Sequence, residues 1–268
     1  MAAMIARVLP APVAGVGRAR LLVERNLMVY RRTWLVVVSG FFEPLFYLLS
    51  IGVGIGALVG QVTGPGGHPI SYTAFVAPAL LASSAMNGAI YDATFNIFFK
   101  LRFAKVYDAV LATPLGVGDI ALGEVAWALS RGLLYSVAFL IVMVAMGLVH
   151  SVWAVLALPA AALIGFAFAA VGLAATSLMR SWQDFEFVQL ALLPMFLFSA
   201  TFYPLSTYPR PLQIVVECTP LFHGVQMLRN LTTGTVGWSL VGNVAYLTVM
   251  GLVGVALASR RFARVLLR

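Results

Sequence analysis

The sequence predicts an all-α membrane protein: six transmembrane helices, an N-terminal interfacial amphipathic helix, and re-entrant helices between spans five and six. Of its 268 residues 62% are hydrophobic and only 10% charged, against about 25% charged in soluble domains. Stretches of about 20 apolar residues recur, each long enough to cross a bilayer. A short cationic island, Lys100-Leu-Arg-Phe-Ala-Lys105, interrupts this apolar text and holds both lysines of the chain.

The spans are expected near 34–59, 72–99, 119–149, 152–178, 187–203 and 238–259. The N-terminal stretch 8–17 contains Pro10 and Pro12 and runs into Arg18, so no cleavable signal is expected and the first span should remain as an anchor. Arg7, Arg18, Arg20, Arg25, Arg31 and Arg32 precede that span, Lys100, Arg102 and Lys105 follow the second, Arg180 follows the fourth, and Arg260, Arg261, Arg264 and Arg268 close the chain. Only Arg210 and Arg229 fall on the other side. Positive charge prefers the cytoplasm, so both termini are expected there, in the plasma or inner membrane. The net charge of +8 thus reads as orientation and lipid contact rather than nucleic-acid binding. Three parts follow: a cytoplasmic segment 1–33, a transmembrane domain 34–259 and a basic tail 260–268.

The segment before the first span projects onto a helix with two faces. Ala19, Leu22, Val23, Asn26, Leu27, Val29, Tyr30 and Trp34 share one half, and Arg18, Arg20, Glu24, Arg25, Arg31 and Arg32 the other, with Leu21 and Met28 as exceptions. Such a helix can lie in the interface with its apolar side in lipid; a plain positively charged anchor explains the same residues. The third span is too long for a simple crossing, about 46 Å of helix against a core of about 30 Å. Its lower end, carrying Glu124 and Arg131, should form a stalk beside the island. Between spans five and six, Pro209, Pro211 and Pro220 divide residues 206–237 into pieces too short to span, read as two re-entrant or interfacial helices.

Chemistry is sparse. The chain has no phosphate-binding loop of the Gly-x-x-x-x-Gly-Lys-Ser/Thr type, so it is not expected to hydrolyse ATP by that route. The single Cys218 excludes an intrachain disulfide, and His68, His150 and His223 lack ligand spacing. Catalytic residues, a metal site and a bound cofactor are therefore not expected. Polar groups inside spans are costly. Glu43, before Pro44, could line a substrate route or proton path, or simply pair with a neighbouring helix. Asp92 is the other deep acid. Met86, Asn87 and Tyr91 in span two, Phe198 and Phe202 in span five, and Tyr47 in span one are candidates for a substrate lining; helix packing is the plainer role. Gly52 and Gly56 permit close helix approach, in the chain or at a dimer seam.

Local motifs then meet a family. Ala77-Pro-Ala-Leu80, Lys105-Val-Tyr-Asp108, Leu111-Ala-Thr-Pro-Leu115, Asp119-Ile120, Gly123-Glu-x-x-Trp127, Phe198-Ser-Ala-Thr-Phe-Tyr-Pro-Leu205 and Pro220-Leu-Phe-His223 together resemble ABC-2 type transporter permeases. The resemblance is strongest to the branch of nodulation lipo-oligosaccharide exporters and daunorubicin-resistance permeases. It implies an ABC-2, type V exporter-like fold that moves an amphipathic drug, lipid or lipid-linked saccharide outward. It also implies two permease subunits, identical or paralogous, with two copies of a separate ATP-binding subunit that carries ATP and magnesium. Within 100–118 it implies a coupling helix that docks on the ATPase, with Lys100, Arg102, Lys105, Tyr107, Asp108, Thr113 and Pro114 in it and Glu124 and Arg131 beside it. A proton-coupled or channel-like transporter centred on Glu43, and a non-transporting membrane scaffold, are the alternatives the residues leave open.

Overall fold

The computed structural model describes residues 16–31, 42 and 44–266. Glu43 and the entry to the expected first span lie outside the described residues. The chain is a helical bundle. Helix α1 (Val16–Tyr30) precedes α2 (Pro44–Val59), and a small antiparallel hairpin of β1 (Gln61–Thr63) and β2 (Pro69–Ser71) leads into α3 (Tyr72–Arg102). The hairpin departs from the all-α expectation; its Pro65-Gly-Gly turn places Gly66 and Gly67 at positive φ, which glycine adopts freely.

Then follow α4 (Val106–Leu111), α5 (Val117–Ala145) and α6 (Ala157–Thr176), the last extended at its start by a tight turn from Val152. Helices α7 (Phe185–Leu197), α8 (Arg210–Glu217), α9 (Pro220–Thr233) and α10 (Trp238–Leu266) complete the chain. Among the described residues four stretches are long and apolar enough to cross a membrane: Tyr72–Arg102, Val117–Ala145, Val152–Thr176 and Trp238–Arg261. They match four of the six expected spans. α2 is a shorter apolar helix. α7 has only 13 residues and ends at Leu197, giving about 20 Å of helix, whereas the sequence expectation carried that span to 203. The residues after it form turns around Ala200, whose φ of 54° is left-handed.

α3 is the axis of the core. Phe75, Leu80, Leu81, Met86, Ala89 and Ala93 along it are buried, packed against α5, α6 and α9. Where α3 passes Asp92 its turn widens into a π-helical segment, Asp92–Asn96, and the Ala93 carbonyl is met by the Thr176 hydroxyl of α6 at 2.8 Å. A side-chain donor inserted at an irregular turn satisfies a carbonyl that would otherwise be strained in an apolar interior. In α2, the Gly52 carbonyl accepts from Thr73 Oγ1 at 2.6 Å. The close approach expected of Gly52 and Gly56 is therefore made to α3 of the same chain. The prolines act as the sequence suggested: Pro211 and Pro220 stand in the first turns of α8 and α9, where a missing N–H costs nothing.

Candidate functional site

The site is a polar layer at the end of the bundle where α1, α3, α4 and α5 meet. After α3 the chain reverses at Lys105, held left-handed at φ 46°, and the six-residue α4 follows. Thr113 Oγ1 donates to the Val110 carbonyl at 2.6 Å and accepts from the Leu115 N–H at 3.4 Å. Pro114 then forbids helical continuation. The chain re-enters α5 with the Gly116 N–H donating to the Asp119 carboxylate at 2.9 Å. Arg18 at the start of α1 donates to the Pro114 carbonyl at 3.1 Å, tying the two ends of this corner together.

The cationic island divides in two. Arg102, Lys105, Asp108, Thr113 and Pro114 are exposed. Lys100 and Tyr107 are buried, at 7% and 1% exposure, and cannot meet another protein directly. Both turn inward onto Glu124 of α5, itself 1% exposed. Lys100 Nζ stands 2.7 Å from Glu124 Oε2, the Tyr107 hydroxyl donates to Oε1 at 3.0 Å, and Asn26 Nδ2 of α1 donates to Oε2 at 3.3 Å. Lys100 also donates to Asn26 Oδ1 at 3.2 Å. Burial, and then the Glu124 carboxylate, push the Tyr107 phenol well above its ordinary value, so it keeps its proton and donates. One carboxylate thus fastens three other elements to α5. A charge buried this way is tolerated because it is paired and hydrogen-bonded throughout.

Two turns further along α5 the pattern recurs. Arg131, half-buried, stands 2.6 Å from Asp92 at the π-helical turn of α3 and donates to the Tyr135 hydroxyl at 2.9 Å. Tyr30 of α1 accepts from Arg131 at 3.3 Å and from Asn96 at 3.1 Å, and its ring lies against Trp127 with centroids 5.1 Å apart. α1 can lie this close because Gly123 offers no side chain: a Cβ there would come within 2.8 Å of Leu22 and 3.1 Å of the Ala19 carbonyl. The expected lipid-facing half of α1 is thereby split. Ala19, Leu22 and Asn26 dock on α5, while Leu27 and Val29 remain exposed with Leu21 and Met28.

Beyond Arg131 a cavity of about 280 Å³ opens between α2, α3, α5 and α7. Tyr47, Asn87 and Tyr91 of the predicted lining face it, joined by Ser83, Ser84 and Gln189. Tyr91 and Gln189 bond to each other at 3.0 Å, and the Tyr47 ring meets that of Phe196 at a tilt, centroids 5.7 Å apart, so α7 closes the side. Of the other four predicted residues, Glu43 lies outside the described residues and three do not line it. Met86 is fully buried in the α3 core and Phe202 packs on Phe196 at 5.3 Å, while Phe198 is exposed near Tyr208. Apolar residues in a span read alike whether they face a cavity, a helix or lipid, so hydropathy could not separate them.

Sequence reasoning also missed Arg229. Expected on the outer side, in a re-entrant or interfacial helix, it is 7% exposed and pins three elements. It donates to the Phe75 carbonyl of α3 at 3.1 Å and the Ala200 carbonyl at 2.8 Å, and its guanidinium lies 3.7 Å from the centre of the Phe75 ring. A lone arginine inside the apolar stretch after Pro220 was the signal.

A helical bundle with four membrane-length helices among the described residues, a helix on its flank, a short helix between two long ones and a polar cavity beside buried ion pairs defines a polytopic membrane protein. The ABC-2 type transporter family profile matches residues 18–233, and the chain belongs to that family. It is 32% identical over 244 residues to nodulation protein J of Rhizobium meliloti (strain 1021), covering 89% of this chain and 91% of that one. Nodulation protein J of Rhizobium leguminosarum bv. trifolii is 32% identical over 247 residues, 90% and 92% of the two chains. That of Bradyrhizobium diazoefficiens is 30% identical over 208 residues, 77% and 78%. The chain is therefore a transmembrane ABC transporter subunit, a class whose members are not themselves enzymes and whose family implies an ATP-binding partner.

Proposed function

We propose that this subunit is the permease of an exporter that moves an amphipathic molecule outward, using ATP hydrolysed on a separate subunit docked at α4. The observation that carries the reading is Tyr107. It stands on a short helix whose outer face, Lys105 and Asp108, is exposed, and its own phenol ends on the buried Glu124 carboxylate. A push on α4 therefore reaches α5, α3 and α1 through one carboxylate. The next pair along α5, Arg131–Asp92, borders the cavity. Packed helices joined by such contacts move as bodies rather than deform.

In this reading Arg102, Lys105, Asp108, Thr113 and Pro114 meet the ATPase, and Lys100, Tyr107, Glu124 and Arg131 transmit. α2 and α7 serve as the first and fifth crossings of a six-span subunit, α8 and α9 dip into the outer leaflet, and both termini face the cytoplasm. Two permease subunits and two ATPase copies complete the transporter. Tyr47, Asn87 and Tyr91 line the route. With Arg131 neutralised by Asp92, the cavity offers hydroxyls and amides rather than net charge, which suits a hydroxyl-rich neutral head such as a saccharide. The resemblance of the motifs to nodulation lipo-oligosaccharide exporters agrees with a lipid-linked saccharide.

Asp108→Arg and Lys105→Glu test the docking face. Both should insert normally and bind cargo, while cargo-stimulated ATP hydrolysis of the reconstituted complex falls to the basal level. Export at the unaltered rate in both would remove the docking assignment.

A further inference from the structure

On the adjoining face of α7, with Leu192 between it and the polar cavity, runs a second, apolar groove of about 490 Å³, bounded by α3, α6, α7 and α10. Its walls are Val171 and Ala175 of α6 facing Phe187, Ala191 and Met195 of α7. From Asp184 to Met195 the groove follows α7 for about 16 Å at 1.5 Å per residue, close to half of a hydrocarbon core of about 30 Å. That is the length of one leaflet's acyl chain.

The two ends differ. The far end, at Pro220 and Met250, is apolar. The near end carries charge: Met179 lines the groove, its carbonyl accepts from the exposed Arg102 at 3.3 Å, and the exposed Arg180 follows it. Asp184 stands at this mouth too, but its carboxylate is taken by the backbone N–H groups of Arg180 at 2.6 Å and Ser181 at 3.1 Å. Beside them Trp182 packs among Phe95, Phe98, Phe103 and Phe185 with centroids 4.8 to 6.5 Å apart. Aromatic clusters with flanking arginines mark the headgroup level of a bilayer, so this mouth lies where phosphates lie.

We infer that this groove is a phospholipid site: an acyl chain lies along α7 and an anionic headgroup meets Arg102 and Arg180. Lipid there packs one face of the short α7, whose adjoining face walls the cargo cavity. That the mouth belongs to the inner leaflet rests on the orientation proposed above. Binding is read without ATP, partner or export, so its failure and the failure of that reading are distinguishable.

The test measures thermal unfolding of the full chain in detergent with added phosphatidylglycerol or phosphatidylcholine, since a ligand that binds the folded state raises its Tm. Phosphatidylglycerol should raise Tm more than phosphatidylcholine. Arg102→Ala with Arg180→Ala should make the two lipids equal, and Ala191→Trp, which fills the groove, should abolish both shifts. Should Ala191→Trp not fold, Val171→Trp fills it from the opposite wall. Equal shifts from the two lipids in the unaltered chain, or undiminished shifts in the filled variants, would overturn the site. Displacement of bound phosphatidylglycerol by an equimolar acylated saccharide would overturn it in favour of cargo.

Discussion

The two ends of the bundle bury cations in opposite ways. At the α1–α4 end, Lys100 and Arg131 each face a carboxylate, Glu124 and Asp92, and phenols and an amide fill out the shell. At the α9 end, Arg229 is held by two backbone carbonyls and a ring. Carbonyls in helices and turns cannot leave, so Arg229 is a fixed pin. Side-chain pairs can exchange partners, and the three groups on Glu124 come from three different elements. The contrast separates the part of the fold that holds from the part fitted to move.

Removing the shared carboxylate should have the largest effect. Glu124→Ala leaves Lys100 buried and unpaired, a loss of about 3–5 kcal/mol, measurable as a lowered unfolding midpoint. Arg229→Ala should come next, at about 2–3 kcal/mol for hydrogen bonds made by a charged group. It should loosen the turn at Ala200, read as faster proteolysis there, without altering α4. If it abolished ATPase stimulation as fully as Glu124→Ala while leaving that turn protected, the division between pin and relay would collapse.

Tyr107→Phe sharpens the comparison because it removes one hydrogen bond and leaves the ion pair. Stability should fall by only about 1 kcal/mol, yet cargo-stimulated ATP hydrolysis should drop sharply. A parallel modest fall in both would make Tyr107 a packing residue. The smallest effect belongs to Asp184, half-buried and held below the usual carboxylate range by the N–H groups of Arg180 and Ser181. A lowered pKa contributes stability above the unfolded value of about 4 and loses it as pH falls through the folded one. Asp184→Asn should therefore be slightly less stable at neutral pH and match the unaltered chain in strong acid. A gap that persists in acid would point to lost packing instead.

Much of the architecture was legible because it rests on local rules. Hydropathy located α3, α5, α6 and α10, prolines at 209, 211 and 220 cut out α8 and α9, and Thr113-Pro114 stopped α4. The overlong third span is a helix of 29 residues ending at Ala145, four residues earlier than expected, where Gly147 turns with φ 67°. Pairing was not legible. Lys100 and Glu124 are 24 residues apart and Arg131 and Asp92 39, and nothing in one strand of text says which buried charges meet. The cationic island read as a surface because lysines are seldom buried without a partner, and the partner lies on another helix. α7 was overextended because the apolar run continues through Phe198 while the helix has already ended at Leu197.

The central claim is that α4 reports to the cargo cavity through Tyr107 and Glu124. It is tested most directly by replacing Cys218, the one cysteine, with serine and placing a thiol in the cavity as Asn87→Cys. The rate of its reaction with a polar maleimide is then measured in the assembled transporter with and without ATP. ATP should change the rate several-fold, and adding Tyr107→Phe should remove the change. An equal ATP-driven change with and without the Tyr107 hydroxyl would contradict the claim.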